Sequence, residues 1–446
     1  MRDVNLHGQF RLRRNSLAVA IEAMSWMAYA RLGERTALFR AADQLDANPD
    51  ELRQAHRLIM ETTRFQNRLE HYVSLISKGK LDEMPHGVSG FLKILAFLRF
   101  IDQADKRQLR LAISSARQIL GWKILRPYEE TIGRIVTETC SFHAQNDLEK
   151  IALETCHPTW YAQRISLVYG RDVGLQILNR NLKPIPLYVR LNPLKADSSS
   201  PQSSINAAEV DGMKGVWKLN DSNKLGPQQL DFVKTGKIII QDLSAIVSST
   251  VASPQPGDRV LDVCAAPGNK TSHLAALMNN KGEIFSIDVS RERMTHWKKE
   301  IDRVGCLIAS GIIADARRLM LNVEAEVVLV DPPCSNTGVF AKNPTMKWRL
   351  SVAHLQTLIT RQATILDSAS KHVRAGGTLV YSTCSILPEE NEDVISSFLR
   401  RNSDFTLERQ KPFLGSSGLK GLDRCQRFYP NLHECNGYFI AKLRRL

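Results

Sequence analysis

The chain has 446 residues, 43% of them hydrophobic and 24% charged, which allows two or three domains with sizeable cores. No uninterrupted apolar run reaches bilayer-spanning length, so no membrane association is expected. The net charge of +14 is spread, with 23 basic against 18 acidic side chains in residues 1–150, 10 against 7 in 151–235 and 27 against 21 in 236–446. That spread suits a polyanion lying across several domains, not a basic tail.

In chain order, the N-terminus sets basic residues ahead of an apolar stretch, but Glu22 interrupts it, and Leu17, Ile21, Met24 and Ala28 recur at helical spacing. This reads as a first amphipathic helix, not a secretory signal, and a cytoplasmic protein is expected. Leu58, Thr62, Phe65, Leu69 and Tyr72 repeat the spacing, and FLKILAFLRFI at 91–101 is apolar on most sides. Residues 1–150 are expected to form a bundle of five to seven helices. In 151–235, HPTWYAQR opens a short helix, PIPLYVRLNPL (184–194) alternates like a strand bounded by prolines, and ADSSSPQSSINA (196–207) reads as a loop. A small α+β connecting domain is expected there.

From 236 onward the pattern becomes strand, helix, strand. Strands are expected at 259–265, 283–289, 311–315, 326–331 and 377–384, with helices near 270–279, 291–304, 351–373 and 388–401. Near-continuous apolar strands separated by helices predict an α/β domain over 236–446, a Rossmann-like parallel sheet covered on both faces. GYFIAKLRR (437–445) is expected as a last strand at or near an edge. Ligands of such sheets bind beyond the carboxyl ends of the strands.

At the first strand end lies DVCAAPGNKTSHLAALM, which has neither GxGxxG nor phosphate-loop spacing. Ala265, Ala266 and Gly268 let a ligand approach the backbone, Pro267 stiffens the turn, and the following helix N-terminus favours a carboxylate. Asp288, at the second strand end, suits a ribose, and Asp315, at the third, lies where an adenine amino group would be. Ribose, adenine and a carboxylate without a pyrophosphate describe S-adenosylmethionine.

The chain has eight cysteines, at 140, 156, 264, 306, 334, 384, 425 and 435. None pairs at CxxC spacing, so no zinc ribbon or other metal site is expected, and without a secretory signal no disulfide framework is. Two thiols stand apart from the packing ones. Cys334 follows Asp331-Pro332-Pro333, whose prolines fix the backbone, and Cys384 ends the next strand. Both are expected to face one crevice. Amine-modifying methyltransferases carry an aromatic after the paired prolines; here a thiol stands in its place. A thiolate suits carbon-5 of a pyrimidine, which becomes nucleophilic only after addition at carbon-6. From the pattern alone, either cysteine fits the attacking role.

LDVCAAPGNKTSHLAALM (261–278), VLVDPPCSNTGVF (328–340), MKW (346–348) and LVYSTCSILPEENEDVI (379–395) resemble the RsmB/Fmu-type RNA cytosine-5 methyltransferases of the NOL1/Nop2/Sun superfamily. The flanks QDLSA (241–245) and RFYPNLHECNGYFIAKL (427–443) fit the same family. The helical N-terminus resembles a NusB-like RNA-binding domain, and 157–195 a small RNA-recognition-like domain. The resemblance implies a class I methyltransferase domain with Cys384 as nucleophile, Cys334 assisting product release and Asp331 serving the cytosine ring near the donor. It implies a donor cradle of Cys264, Ala265, Ala266, Pro267, Gly268, Asn269 and Lys270, with Asp288, Arg293, Asp315 and Asp331 completing the site. Asn269 stands where the family usually has glycine, Ala341-Lys342-Asn343 replaces a more basic run, and Cys435 occupies a position that is usually not cysteine. The expected substrate is ribosomal RNA of the small subunit, with transfer RNA second and a catalytically silent RNA-binding assembly factor as the alternative. A monomer is expected.

Overall fold

A computed structural model describes residues 12–77, 81–139, 143–195, 207–219 and 225–446. Its packing defines two compact units, Met1–Lys183 with Asn343–Arg349, and Pro184–Lys342 with Leu350–Leu446. The expected boundaries at 150 and 235 do not coincide with this division.

The first unit is helical. Residues 14–137 form eight α-helices among the described residues, more than the five to seven expected, because the chain breaks into short pieces at Trp122–Leu125 and Glu129–Thr137. His86–Ala96, continued by a π-turn at Phe97–Ile101, is the central helix the composition predicts, with Phe91, Leu92, Ile94, Leu95 and Phe97 all buried. Helix Asp147–Thr155 is fastened to this bundle. Asn67 donates to Ala152 O (2.9 Å) and His157 O (3.0 Å), Arg68 donates to Leu153 O (3.0 Å), and Arg64 reaches Asn181 O (3.1 Å). These side chains donate to carbonyls at and beyond the helix ends, where the lone pairs are not all used within the helices. Helices Thr159–Tyr169 and Arg171–Arg180 follow in the same unit, which moves its boundary from 150 to 183.

Segment 343–349 also belongs to this unit, although it lies between strands of the other. Its helix Thr345–Arg349 buries Lys347, whose ammonium donates to Arg64 O (2.9 Å) and Cys156 O (2.7 Å). Trp348 donates to Thr63 O at 2.7 Å.

The second unit holds both sheets. The smaller is antiparallel, ordered β2 (Ala207–Glu209), β3 (Val216–Leu219), β1 (Tyr188–Leu191), β4 (Ile238–Ile240). Alternation along β1 explains why this sheet does not separate as a connecting domain. Val189 packs with Trp217, Leu219, Phe232 and Ile238, while Tyr188 joins the core of the larger sheet. Arg190, fully buried, donates to Gln241 (2.7 Å) and to Ser272 (2.7 Å) on the donor-loop helix.

The larger sheet contains β5 (Arg259–Val263), β6 (Glu283–Asp288), β7 (Ala309–Ile313), β8 (Ala325–Val330), β9 (Val373–Thr383), β10 (Phe405–Leu407), β11 (Ser416–Ser417), β12 (Gln426–Phe428) and β13 (Tyr438–Arg445). Its order is β11-β12-β13-β9-β8-β5-β6-β7, with β10 also on β13. β5 to β9 run parallel and β13 antiparallel. β13, expected at or near an edge, lies third from it, because the short strands β11 and β12 stand outside it and β10 also pairs with it.

Successive residues feed opposite faces. Val260, Val327, Leu329 and Val380 pack beneath helices Leu243–Ala252, Asn269–Leu277 and Arg291–Val304. Leu261, Val263, Val328, Val330, Leu379 and Tyr381 pack beneath Val352–Ser370 and Glu392–Arg401. Strands buried on both faces are apolar throughout, as the sequence shows. The strand order reverses between β5 and β8, and that switch point opens the cleft at the strand ends.

Candidate active site

The donor side is built from β5 outward. Cys264 has left-handed backbone (φ 66°), the Ala266–Pro267 peptide is cis, and Gly268 (φ 109°) caps helix Asn269–Leu277. A Cβ at Gly268 would lie 3.1 Å from the Trp297 ring, so glycine is needed there for close packing as well as for its φ. Asn269 is the first helical residue and needs no special φ, which accounts for its tolerance in place of glycine.

Two cavities meet at Cys264. One, of about 200 Å³, is lined by Asp262, Ala265, Ala266, Pro267, Asn269, Lys270, Asp331 and Lys342. The other, of about 250 Å³, is lined by Asp288, Arg293, Asp315, Pro333 and Arg361. Every expected donor residue except Gly268 lines one or the other, and Lys342, the basic residue left in its run, does too.

The carboxylates differ in how they are held. Asp288 is buried, accepts from Ala266 N (3.3 Å) and Ser290 N (3.0 Å), and pairs with Arg293 at 3.1 Å. Arg293 also donates to Ala266 O. Asp315 lies just past β7, not at its end, and Arg317 grips both its oxygens (2.6 and 3.0 Å). Those hydrogen bonds lower its pKa to about 2. Asp262, which sequence reading passed over as a strand residue, is fully buried. It accepts from Thr271 at 2.6 Å while its Oδ1 has no protein partner. Burial raises its pKa to about 6. A cradle of small residues and a positive φ, with an orphaned carboxylate oxygen, fits a donor that carries an ammonium as well as a carboxylate.

Asp331 stands between the donor side and the thiols. Lys270 donates to its Oδ2 at 2.5 Å, and Tyr438 (3.2 Å) and Ser382 (3.4 Å) donate to its Oδ1. Burial works against the Lys270 charge, but Asp331 and Tyr438 outweigh it and hold its pKa well above the ordinary lysine value. Burial and the Asp331 charge push the Tyr438 phenol up, so it stays a donor. Neither Tyr438 nor Ser382 was expected at the site.

On the acceptor side, parallel β8 and β9 are neighbours and deliver their cysteines to one place. The sulfurs of Cys334 and Cys384 are 3.1 Å apart. Cys384 Sγ also donates to Asn336 Oδ1 at 3.1 Å, and Asn336 donates back to Cys334 O at 3.0 Å. The hydrogen bond with Cys384, and burial, raise the Cys334 pKa well above the ordinary thiol value. The loops touch again where Gly338 N donates to Cys384 O (2.9 Å), and a Cβ on Gly338 would collide with the Gly437 carbonyl. Of the six thiols assigned to packing, Cys156, Cys306, Cys425 and Cys435 are buried, Cys264 is half-buried and lines both cavities, and Cys140 lies outside the described residues.

A doubly wound sheet with this cleft at its switch point is the fold of a class I methyltransferase. The family profile described as 16S rRNA methyltransferase RsmB/F matches residues 249–444. A protein of Bacillus subtilis (strain 168) named "Probable ribosomal RNA small subunit methyltransferase B" is 32% identical over 321 residues, 68% of this chain and 70% of that one. A Pyrococcus horikoshii protein named "tRNA (cytosine(72)-C(5))-methyltransferase" is 37% identical over 219 residues, 49% of this chain and only 55% of that one. The crystal structure of PH0851 is similar with a TM-score of 0.84 at 25% identity, covering 98% of this chain and 100% of that one. The chain belongs to the RsmB/F family of RNA cytosine-5 methyltransferases, S-adenosylmethionine-dependent enzymes.

Proposed function

We propose that this chain methylates carbon-5 of a cytosine in small-subunit ribosomal RNA through a covalent Cys384–cytosine intermediate. The observation that carries the reading is the 3.1 Å approach of two sulfurs at adjacent strand ends, beside Asp331 and the donor loop. The ribosomal target is favoured by the Bacillus subtilis relative, which is matched over more of both chains; the Pyrococcus horikoshii relative, closer in identity over a shorter stretch, favours transfer RNA as a second reading.

S-adenosylmethionine, when bound, supplies an electrophilic methyl group. Cys264 to Lys270, Asp288, Arg293 and Asp315 would hold it, with Asp262 facing its ammonium. Cys384, its proton lost to solvent, adds as the thiolate to carbon-6, and the Lys270–Asp331 pair lends ring nitrogen-3 a proton that returns to the pair when the ring is restored. The electrons of the carbon-5–carbon-6 double bond then sit as an enamine, so carbon-5 takes the methyl group. A proton must next leave carbon-5 as the carbon–sulfur bond breaks, which restores the ring and the thiolate. Cys334, once its own proton has passed to solvent, is placed to accept that proton as the thiolate, and its raised proton affinity makes it a strong base for the step. In the helical unit, Arg31, Lys93 and Arg349 border a cavity of about 630 Å³ beside Trp348 and supply phosphate and base partners for the RNA.

The test is Cys334→Ala incubated with the donor and with ribosomal or transfer RNA. A protein–RNA adduct that survives denaturing gels is expected, with turnover falling about 100-fold or more. An adduct formed by Cys384→Ala and not by Cys334→Ala would reverse the two roles, and its absence from both would remove the covalent mechanism.

A further inference from the structure

We propose that Glu390 is a positioning residue for this reaction: its carboxylate binds the residue that follows each cysteine and so fixes the spacing of the two sulfurs. The inference deepens the paired-thiol reading above and rests on it for its catalytic meaning.

Glu390 is fully buried, and no lysine, arginine or histidine pairs with it among the described residues. A buried carboxylate without a counter-ion is costly unless hydrogen bonds replace its hydration. Four do. Its Oε1 accepts from Ser335 N (2.8 Å) and Gln362 Nε2 (2.8 Å). Its Oε2 accepts from the hydroxyls of Ser335 and Ser385, the latter at 2.5 Å. Ser335 directly follows Cys334, and Ser385 directly follows Cys384. Gln362, on the helix Val352–Ser370, also donates to Pro333 O at 3.0 Å, so the residues on both sides of Cys334 are tied to the same group.

A helix cap explains this less well. Glu390 lies in the turn Pro388–Glu390 just before helix Glu392–Arg401, yet none of its four donors comes from that helix. They come from two loops and a distant helix. An acceptor-only group is what four converging donors require, and a carboxylate is the side chain that offers it. Its charge also adds to the effects that keep the proton on Cys334. Two thiols that act in sequence on one pyrimidine need fixed separation, and a displacement near 1 Å costs about 100-fold in rate.

The test uses the full chain with Glu390→Ala and Glu390→Gln, first without RNA or donor. Dibromobimane bridges two thiols only when they are neighbours, each thiolate displacing one bromide, and peptide mapping identifies the 334–384 bridge. Wild type is expected to form it, and Glu390→Ala to lose about tenfold in yield as the loops part. Glu390→Gln keeps one acceptor oxygen and can donate to the serine hydroxyls, so it is expected to recover to within about threefold of wild type. In that variant Cys334 is expected to react with iodoacetamide from a lower pH, a shift that a merely structural role would not produce. In turnover, Glu390→Ala is expected to lower kcat by about 100-fold with both KM values within about threefold. Unchanged bridging in folded Glu390→Ala overturns the proposal. If that variant does not fold, a Ser335→Ala, Ser385→Ala double variant takes its place, and bridging at the wild-type yield overturns it equally. Normal bridging in wild type with no adduct from Cys334→Ala would sink the covalent reading and leave the spacing role standing.

Discussion

The two halves of the site both bury a carboxylate, and they treat it differently. On the acceptor side, Glu390 has two donors on each oxygen. On the donor side, Asp262 has Thr271 on one oxygen and nothing on the other. A satisfied buried charge stiffens its surroundings; an unsatisfied one costs stability until a ligand arrives. The acceptor half is therefore set before RNA binds, whereas the donor half carries strain that the cofactor's ammonium would relieve. Asp288 and Asp315, by contrast, are already held by arginines.

If the acceptor half is preset, removing its proposed nucleophile should cost chemistry and leave binding intact. Cys384→Ala is expected to lower methylation by about 10⁴-fold or more, with donor affinity within about twofold, measured by tritiated methyl transfer and calorimetry. A matching loss of donor affinity would break the division into halves.

The donor half gives a smaller effect of unusual sign. The folded pKa of Asp262 is raised to about 6 by burial, so its contribution to stability is full below the unfolded pKa and lost as pH rises through 6. Against an unfolded value of about 3.9, this amounts to roughly 3 kcal/mol at neutral pH. Asp262→Asn keeps an acceptor for Thr271 and removes the charge. It is expected to stabilise the ligand-free protein by about 1–3 kcal/mol at pH 7.5 and not at pH 4, and to weaken donor binding about tenfold. Denaturant titration at both pH values checks the first, and calorimetry the second. Destabilisation at pH 7.5 would mean that Asp262 is already paid for within the protein.

Much of this was legible in the sequence, for a physical reason. Apolar runs alternating with helices announce a parallel sheet, and β5, β6, β8 and β9 fall within a few residues of where DVCAAPG, FSIDV, VLVDPP and VYSTC put them. Side chains carried by strand ends, such as Asp331, Cys334 and Cys384, inherit their position from that register. What stayed hidden depends on pairing across long separations. Glu390 reads as the start of a helix until Ser335, 55 residues earlier, folds onto it. Tyr438 reads as a strand residue, and its bond to Asp331 spans 107 positions. The strands β2 and β4 have three residues each, too few to show a period. MKW reads as part of the sheet domain by its neighbours, and only the burial of Lys347 among helix carbonyls reveals the unit it belongs to.

That lysine is a control for the contrast between paired and unpaired buried charge, because it belongs to the helical unit and not to the unit that holds the thiols. Two carbonyls accept from Lys347, no carboxylate forms an ion pair with it among the described residues, and burial outweighs the pull of Glu61 and lowers its pKa to about 7. A lysine whose folded pKa is depressed loses its proton on folding between that value and the unfolded value of about 10.4, so stability rises with pH across that window. Wild type is expected to gain about 2 kcal/mol between pH 7 and pH 9 from this group. Lys347→Met should fill the space, give up both hydrogen bonds, and flatten that part of the profile; the difference between the two denaturation curves isolates the lysine from other titrating groups. A wild-type profile as flat as that of Lys347→Met would mean that the two carbonyls stabilise the ammonium as fully as the four donors stabilise Glu390, and partner number alone would no longer separate the preset half of the site from the strained one.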